Sequence, residues 1–173
     1  MSLTVIGIGD DGIDSLSTRA RTCLADAALI VGSPRHLAML PTHDTRERIV
    51  WSKDLGVNIE ALAPRTQSEH VVVLASGDPL MYGIGSRLLS HFGAENVLVL
   101  PGSSAFSLAA ARMGWPLNDP MLSCVSIHGL PLQNLALHIQ PGIKLLVLSR
   151  DNESPAQVAK MLCTMGYGDS PMS

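Results

Sequence analysis

Short apolar runs alternate along the chain with longer stretches whose apolar residues have helical spacing. Five of these runs predict strands: Leu3–Ile8, Ala28–Val31, Arg48–Trp51, Val71–Ala75 and Val97–Leu100. Runs with so few polar interruptions are typical of strands that are covered on both faces of a parallel sheet. The intervening stretches predict helices at Ser17–Ala27, Arg35–Leu40, Val57–Ala63 and Ser86–Phe92. The alternation indicates an α/β fold with a parallel-rich sheet in the first domain.

The segment from Trp115 to Pro120 contains two prolines, which cannot continue the helix that precedes Gly114. We therefore predict an amino-terminal α/β domain at 1–116 and part of a second α/β domain at 117–173. The second domain has two predicted strands, Leu122–Ile127 and Lys144–Ser149, and one helix near Pro155–Met165. So few elements predict that this domain is incomplete, and that a chain extended by its natural downstream sequence binds the same ligand more tightly.

The composition predicts a folded protein, because 46% of the 173 residues are hydrophobic and 16% are charged. A net charge of −3 without a run of Lys or Arg argues against nucleic acid and anionic membranes as partners. The three cysteines and six histidines have no metal-ligand spacing, so we expect no metal site and reduced thiols. We also expect a cytoplasmic protein, because neither a leader nor a membrane-spanning apolar segment is visible in these residues.

Three loops that follow predicted strands are rich in glycine, and ligands of parallel sheets bind at the carboxyl ends of strands. The first loop, Gly7-Ile8-Gly9-Asp10-Asp11-Gly12, matches the dinucleotide pattern in form. That interpretation requires an acidic residue at the end of the second strand, where this chain has Gly32-Ser33. A tight glycine turn without a ligand is the alternative for this segment.

The second loop runs from Ser76 to Gly85, and the third is Pro101-Gly102-Ser103-Ser104. In the second loop, Asp78-Pro79 has the form of a helix N-cap followed by proline. Gly83 and Gly85 would each cost a helix about 1 kcal/mol relative to alanine, so they indicate a loop pressed against a ligand or another backbone. None of the three loops contains Lys or Arg, which favours a ligand without phosphate, such as S-adenosylmethionine, over ATP or NAD.

Several short motifs, in order along the chain, resemble one known family. The segments Ser76-Gly77-Asp78-Pro79-x-x-Tyr82-Gly83-Ile84-Gly85 and Pro101-Gly102-x-Ser104 resemble the tetrapyrrole (corrin/porphyrin) methylases. The segments Gly32-x-x-Arg35-His36-Leu37 and Val125-Ser126-x-His128-Gly129 are similar to the precorrin C5-methyltransferase branch of that family. The resemblance extends from about Leu3 to Ser149. Leu130 departs from the branch, which often has arginine after the His-Gly pair.

The resemblance implies S-adenosylmethionine-dependent methylation of a precorrin in cobalamin biosynthesis. It implies a homodimer of two-domain chains with the cofactor in the cleft between the domains, and a second methyltransferase domain downstream in bifunctional members. The cofactor-binding residues that it implies are Gly9, Gly77, Asp78, Met81, Tyr82, Gly83, Ser103 and Ser104. We accordingly expect Gly77→Val or Gly83→Val to abolish cofactor binding in a protein that still folds.

A precorrin carries several carboxylates, so basic side chains near strand ends are candidate substrate contacts. Arg35, Arg112 and Arg150 have such positions. The sequence identifies no catalytic base, and Asp10 and Asp11 are candidates by position alone. The alternatives are a methyltransferase of the same superfamily with another acceptor, an NAD-binding dehydrogenase domain that uses Gly7–Gly12, and a catalytically silent scaffold.

Overall fold

The computed structural model describes residues 2–52 and 54–173, which form two compact units that divide between Ser104 and Ala105. The first unit contains five parallel strands in the order β3-β2-β4-β1-β5. Their bounds are β1 Leu3–Ile8, β2 Leu29–Gly32, β3 Glu47–Val50, β4 Val71–Ser76 and β5 Val97–Leu100. All five predicted strands are therefore confirmed, with ends that differ by one residue at most.

Four helices connect these strands: α1 Thr18–Ala25, α2 Pro34–Ala38, α3 Leu55–Ser68 and α4 Gly85–Phe92. Short 3-10 turns cover Gly12–Ser15 and Ala94–Asn96. Helix α3 is longer than predicted, since it continues through Pro64. Its buried residues, Ile59, Leu62 and Thr66, lie on both sides of the proline in sequence, so packing outweighs the one backbone hydrogen bond that proline removes.

The helices cover both faces of the sheet, and alternate strand residues point to opposite faces. One core contains Val5, Val73 and Leu29 of the strands, packed with Ile59 and Leu62 of α3 and with Leu88 and Phe92 of α4. The other contains Ile6, Leu74 and Ile30, packed with Ala20 and Leu24 of α1 and with Leu37 of α2. This two-sided burial explains why the strands are nearly continuous apolar runs.

The connections between strands reverse direction around β4. The connections that leave β1 and β2 run toward the β3 edge of the sheet, over the face that carries α1 and α2. The connection that leaves β4 runs the other way, to β5, over the opposite face. Such a reversal is the topological switch point at which open α/β sheets bind ligands. In the usual dinucleotide-binding order, β2 lies beside β1, but here β4 separates them, which argues against the dehydrogenase alternative.

The second unit, Ala105–Ser173, is built on two parallel strands, β6 Leu122–Ser126 and β7 Lys144–Leu148. Helices α5 Ala105–Met113 and α6 Ser154–Thr164 and a 3-10 segment, Leu132–His138, complete it. The division at Ser104 lies before α5, whereas we predicted a boundary at 116/117. Phe106 and Ala110 of α5 pack with Leu146 of β7, so this helix shares a core with the strands that follow it, and the prolines end the helix without ending the unit.

The amino-terminal end of α6 is held by one carboxylate. Asp151 Oδ1 accepts hydrogen bonds from the backbone nitrogens of Glu153 at 3.1 Å and Ser154 at 3.0 Å, and from Ser154 Oγ at 2.9 Å. Ser154 is fully buried. These bonds satisfy donors that a helix start leaves without intrahelical partners. Within the part of the chain that the structure describes, no helix has the length and apolar character needed to cross a membrane.

Candidate functional site

The loops after β1, β4 and β5 pack against one another through main-chain atoms. Gly77 N donates to Ile8 O at 3.0 Å, and Gly102 N donates to Gly77 O at 3.0 Å. A Cβ on Gly7 would lie 1.8 Å from Gly77 O and 2.4 Å from Gly102 N, so only glycine permits this approach. The three loops therefore form one block at the carboxyl edge of the first-unit sheet, beside the switch point.

Asp78 forms a local turn. Its Oδ1 accepts a hydrogen bond from Leu80 N at 2.9 Å, and its carbonyl accepts one from Met81 N at 3.1 Å. Helix α4 begins only at Gly85, with Ile84 as its N-cap. The prediction that Asp78-Pro79 caps this helix is therefore wrong, because the aspartate makes the same kind of bond to a turn that ends before the helix starts.

Gly83 and Gly85 make room for Pro79. A Cβ would lie 2.5 Å from Pro79 O at Gly83 and 2.7 Å from the same oxygen at Gly85. Of the two explanations that the sequence left open for this pair, the structure favours the approach of another backbone. This close approach argues against the expectation that Gly83→Val leaves the fold intact, because a side chain there would displace Pro79.

Gly77 is constrained in the same way, since its φ of +54° is left-handed and a Cβ would lie 2.9 Å from Ser103 O. The same argument stands against the corresponding expectation for Gly77→Val. Gly9 differs from both glycines, because no atom lies within 4 Å of the position that its Cβ would occupy.

Apolar side chains at this edge are exposed to solvent. Leu80 is 49% exposed, Met81 is 42% exposed and Tyr82 is 53% exposed. Tyr82 has a φ of +57°, the single positive φ among the described non-glycine residues, and a bulky residue in this conformation is strained. Exposure and strain together are typical of a segment whose shape is set by function.

The structure places all eight predicted cofactor-binding residues on these loops. Ser103 is exposed and Ser104 is buried, while Gly9, Gly77, Asp78 and Gly83 are half-buried. Their contact with a cofactor remains a prediction.

Arg35 reaches this edge from α2, although none of the glycine loops contains a basic residue. Its Nη1 donates to Asp10 Oδ1 at 2.5 Å, and its Nη2 donates to Ser76 Oγ at 3.1 Å. His36 Nε2 lies 3.0 Å from the same Ser76 oxygen. Sequence spacing does not reveal this cluster, because it depends on β2 lying next to β4 in the sheet.

His36 is only 5% exposed. Burial, and next the positive charge of Arg35, lower the pKa of this imidazole below its ordinary value of 6.5, and a backbone interaction with Leu74 partly opposes the shift. Its Nδ1 is buried without a hydrogen bond of standard geometry. A neutral imidazole with Nε2 unprotonated can accept a hydrogen bond from the Ser76 hydroxyl, which leaves the Ser76 oxygen free to accept a hydrogen bond from Arg35. We assign this tautomer from the geometry.

The other two candidate arginines belong to the second unit. Arg112 lies exposed in the last turn of α5. Arg150 Nε donates to Asp151 Oδ2 at 3.1 Å, and its backbone nitrogen donates to Ser154 Oγ. A role for Arg35, Arg112 and Arg150 toward one substrate stays a prediction. Among residues 2–52 and 54–173, no group of three or more His, Cys, Asp or Glu could hold a metal ion.

The chain matches one known family over nearly its whole length. The family described as Tetrapyrrole (Corrin/Porphyrin) Methylases matches residues 2–171. The chain belongs to this family. Precorrin-6Y C(5,15)-methyltransferase [decarboxylating] from Sinorhizobium sp is 39% identical over 171 residues, which are 99% of this chain and 41% of that protein. Cobalt-precorrin-7 C(5)-methyltransferase from Salmonella typhimurium is 36% identical over 168 residues, which are 96% of this chain and 80% of that protein.

Solved structures of other tetrapyrrole methylases share the fold. The cobalamin biosynthesis precorrin-6Y methylase from Archaeoglobus fulgidus matches with a TM-score of 0.66 at 24% identity, over 86% of this chain and 73% of that one. The uroporphyrin-III C-methyl transferase from Thermus thermophilus, in complex with S-adenosylhomocysteine, matches with a TM-score of 0.69 at 23% identity, over 96% of this chain and 77% of that one. The predicted tetrapyrrole-methylase-like fold is confirmed.

Proposed function

We propose that this tetrapyrrole methylase transfers a methyl group from S-adenosylmethionine to C5 of a precorrin in cobalamin biosynthesis. The observation that carries the proposal is the match over nearly the whole chain to two relatives named for C5 methylation. The chain spans about 41% of the length of the Sinorhizobium relative, so the activity named for that longer protein comes to this chain as a proposal. A methyltransferase with another tetrapyrrole acceptor is the alternative within the family.

The residues at the carboxyl edge fit S-adenosylmethionine. The space beside Gly9 is open, and main-chain groups of the loops after β1, β4 and β5 line the edge without a Lys or Arg of their own. A sulfonium ligand without phosphate suits such a surface better than a dinucleotide does. Gly9, Met81, Tyr82 and Ser103 would hold it together with the Gly77–Gly83 turn and Ser104.

The protein's contribution to methyl transfer is alignment and exclusion of water. S-adenosylmethionine supplies a methyl group on a sulfonium, whose positive charge disappears on transfer to carbon. The chain then has to hold the acceptor carbon in line and keep water away. The exposed apolar side chains of Leu80, Met81 and Tyr82 would serve the second task. Asp10 is paired with Arg35, which makes it a counter-ion and a poor candidate for a catalytic base.

The substrate class follows from the same proposal. A precorrin is a polyacid, and Arg35, Arg112 and Arg150 are the groups that we propose for its carboxylates. We also propose that the protein acts in the cytoplasm as a homodimer and that a second methyltransferase domain follows it in the full-length protein. Exposed apolar side chains on and after α5, Leu108, Met113 and Leu117, support a self-association surface.

Calorimetric titration with S-adenosylhomocysteine, NAD and ATP tests the cofactor assignment. We expect S-adenosylhomocysteine to bind and the two phosphate-bearing ligands not to bind. The loops lack basic groups of their own, Arg35 at this edge is paired with Asp10, and β2 ends without a ribose-binding carboxylate. Mass spectrometry of a precorrin incubated with S-adenosylmethionine and the protein then tests for the added methyl group. NAD binding tighter than that of S-adenosylhomocysteine would overturn the proposal.

A further inference from the structure

We infer that Arg35, Ser76 and His36 form a carboxylate-binding subsite that Asp10 occupies in the free protein, and that an acidic side chain of the tetrapyrrole displaces Asp10 from it. This inference rests on the proposed function for the identity of the ligand. It assigns two parts to one cluster: a fixed arginine and an exchangeable internal carboxylate.

The fixed part lies on the protein side of the guanidinium. Nη2 of Arg35 donates to Ser76 Oγ at 3.1 Å, and that oxygen lies 3.0 Å from Nε2 of the buried His36. Ser76 ends β4 and His36 lies in α2, so two packed elements orient the arginine. A charged donor held by a buried neighbour loses less side-chain freedom on binding a ligand than a free surface arginine does.

The exchangeable part faces solvent. The ion pair joins Arg35 Nη1 to Asp10 Oδ1 at 2.5 Å, with the two side chains 52% and 91% exposed. Ion pairs at this level of exposure contribute little to stability because water and salt screen them. A ligand carboxylate can therefore take the place of Asp10 without disturbing the fold.

The position of the cluster fits this role. Asp10 follows β1, Arg35 follows β2 and Ser76 ends β4, so the three residues surround the switch point of the sheet. A planar guanidinium recognises a carboxylate through two parallel hydrogen bonds. The Asp10 carboxylate pairs with it through Nη1, whereas an untethered ligand carboxylate has the freedom to make both hydrogen bonds.

The decisive experiment measures binding of uroporphyrin III, a stable polyacidic tetrapyrrole, by fluorescence titration. We expect Asp10→Asn to tighten binding about two- to fivefold, the range that an exposed ion pair provides. Asp11→Asn is the matched control, because it removes the same charge from the neighbouring exposed residue. We expect Arg35→Ala to weaken binding at least about tenfold, whereas Arg19→Ala, which removes a positive charge from exposed α1 surface, should not.

A double variant and a rescue separate positioning from general electrostatics. In the Arg35→Ala background, Asp10→Asn should give no further gain, since the group that it releases is absent. Ser76→Ala should weaken binding and Ser76→Thr should restore it, because threonine keeps the hydroxyl. Three outcomes would each overturn the subsite. They are equal gains in porphyrin affinity from Asp10→Asn and Asp11→Asn, no binding of the porphyrin to any variant, and a full gain from Asp10→Asn in the absence of Arg35.

S-adenosylhomocysteine titrations of the same variants keep the two proposals distinguishable. Unchanged S-adenosylhomocysteine affinity, together with porphyrin affinity that depends on Asp10 and Arg35, supports the subsite. If S-adenosylhomocysteine binds and porphyrin affinity is unchanged by substitution of Asp10 or Arg35, the subsite is wrong and the proposed function stands. If S-adenosylhomocysteine fails to bind while the dependence persists, the proposed function is wrong and the carboxylate subsite stands.

Discussion

At the scale of single residues, the glycines of the carboxyl edge have two different purposes. Gly7, Gly77, Gly83 and Gly85 are required because main chain occupies the space where a side chain would go. Gly9 has open space in the same direction. The sequence shows all of them as loop glycines, and only the distances separate those that allow packing from the one that leaves room for a ligand.

Gly9→Ala therefore tests the cofactor site without disturbing the fold. We expect the free energy of unfolding to change by less than about 0.5 kcal/mol, as for ordinary surface substitutions. Affinity for S-adenosylhomocysteine should fall about tenfold, equivalent to about 1.4 kcal/mol, because the methyl group enters the ligand's space. Denaturant unfolding and calorimetry measure the two quantities.

Gly83→Ala should differ from Gly9→Ala in its effect on stability, with a clear loss from its clash with Pro79. A Gly9→Ala protein that binds S-adenosylhomocysteine as tightly as the parent would place the ligand elsewhere.

His36 makes stability depend on pH. Its pKa is lowered in the folded state by burial and by Arg35, so between that lowered value and 6.5 the unfolded chain binds more protons than the folded one. The free energy of unfolding is then at its full value above pH 6.5 and decreases as pH falls through this window. Unfolding in urea at a series of pH values should show the decrease, and His36→Gln should remove it. His43→Gln, which removes an exposed imidazole, is the matched control, and an equal effect of both variants would contradict this account.

At the scale of elements, the sequence predicts strands better than it predicts helix ends. Helices cover both faces of the sheet, so its inner strands are continuous apolar runs, and the predicted β1, β2 and β4 match the observed strands almost residue for residue. Helix ends are harder to predict, because a capping residue can bond to a nearby turn in place of the helix. Asp78-Pro79 looks like the start of α4, but the turn before Gly85 takes the aspartate, and Pro64 lies inside α3 because burial on both sides of it outweighs the break.

The sequence predicts the parts of the candidate site that are loops after strands. It does not predict the contacts between residues that are far apart in sequence. All eight loop residues lie where strands end, as the sequence indicates. The contact of Arg35 with Asp10 and Ser76 has no signature in spacing, because it follows from the order of strands. The boundary between the units also depends on a contact between residues far apart in sequence, because the packing of Phe106 against Leu146 assigns α5 to the second unit.

Helix α6 offers a test of local structure in the second unit. Asp151→Ala removes the carboxylate that accepts three hydrogen bonds at the helix start, and we expect it to lower the free energy of unfolding by about 1 kcal/mol, within the usual range of 0.5–2. Glu153→Ala, an exposed neighbour whose side chain makes no capping bond, should have a smaller effect. Equal losses in chemical denaturation would show that Asp151 does not hold the helix.

At the scale of the whole molecule, the order of the strands decides where the chain is most resistant to opening. β4 is central, and its residues Val71 to Leu74 are fully buried. β3 is an edge strand whose residues are exposed or half-buried. Opening of the centre requires loss of pairing on both sides, whereas the edge can open alone.

Hydrogen exchange should follow this order. We expect amides of β4 and β1 to exchange most slowly among the first-unit strands and those of β3 to exchange fastest. Mass spectrometry of peptides from each strand measures the rates. Faster exchange in β4 than in β3 would be incompatible with the order β3-β2-β4-β1-β5.

The same strand order has a consequence for biosynthesis, because β1 and β2 share a neighbour that is made much later than either. Val71 pairs with both Leu3 and Leu29, so neither of the first two strands finds this partner until the ribosome has released β4. Until then the emerging chain exposes apolar segments without a sheet to join, a state that is prone to aggregation. Ribosome-stalled chains that expose residues only up to α3 should be cleaved readily by protease, and chains that also expose β4 and β5 should become resistant. We therefore expect the unit to fold in the cell only after its central strand β4 has been synthesised, when three of its four helices have already left the ribosome.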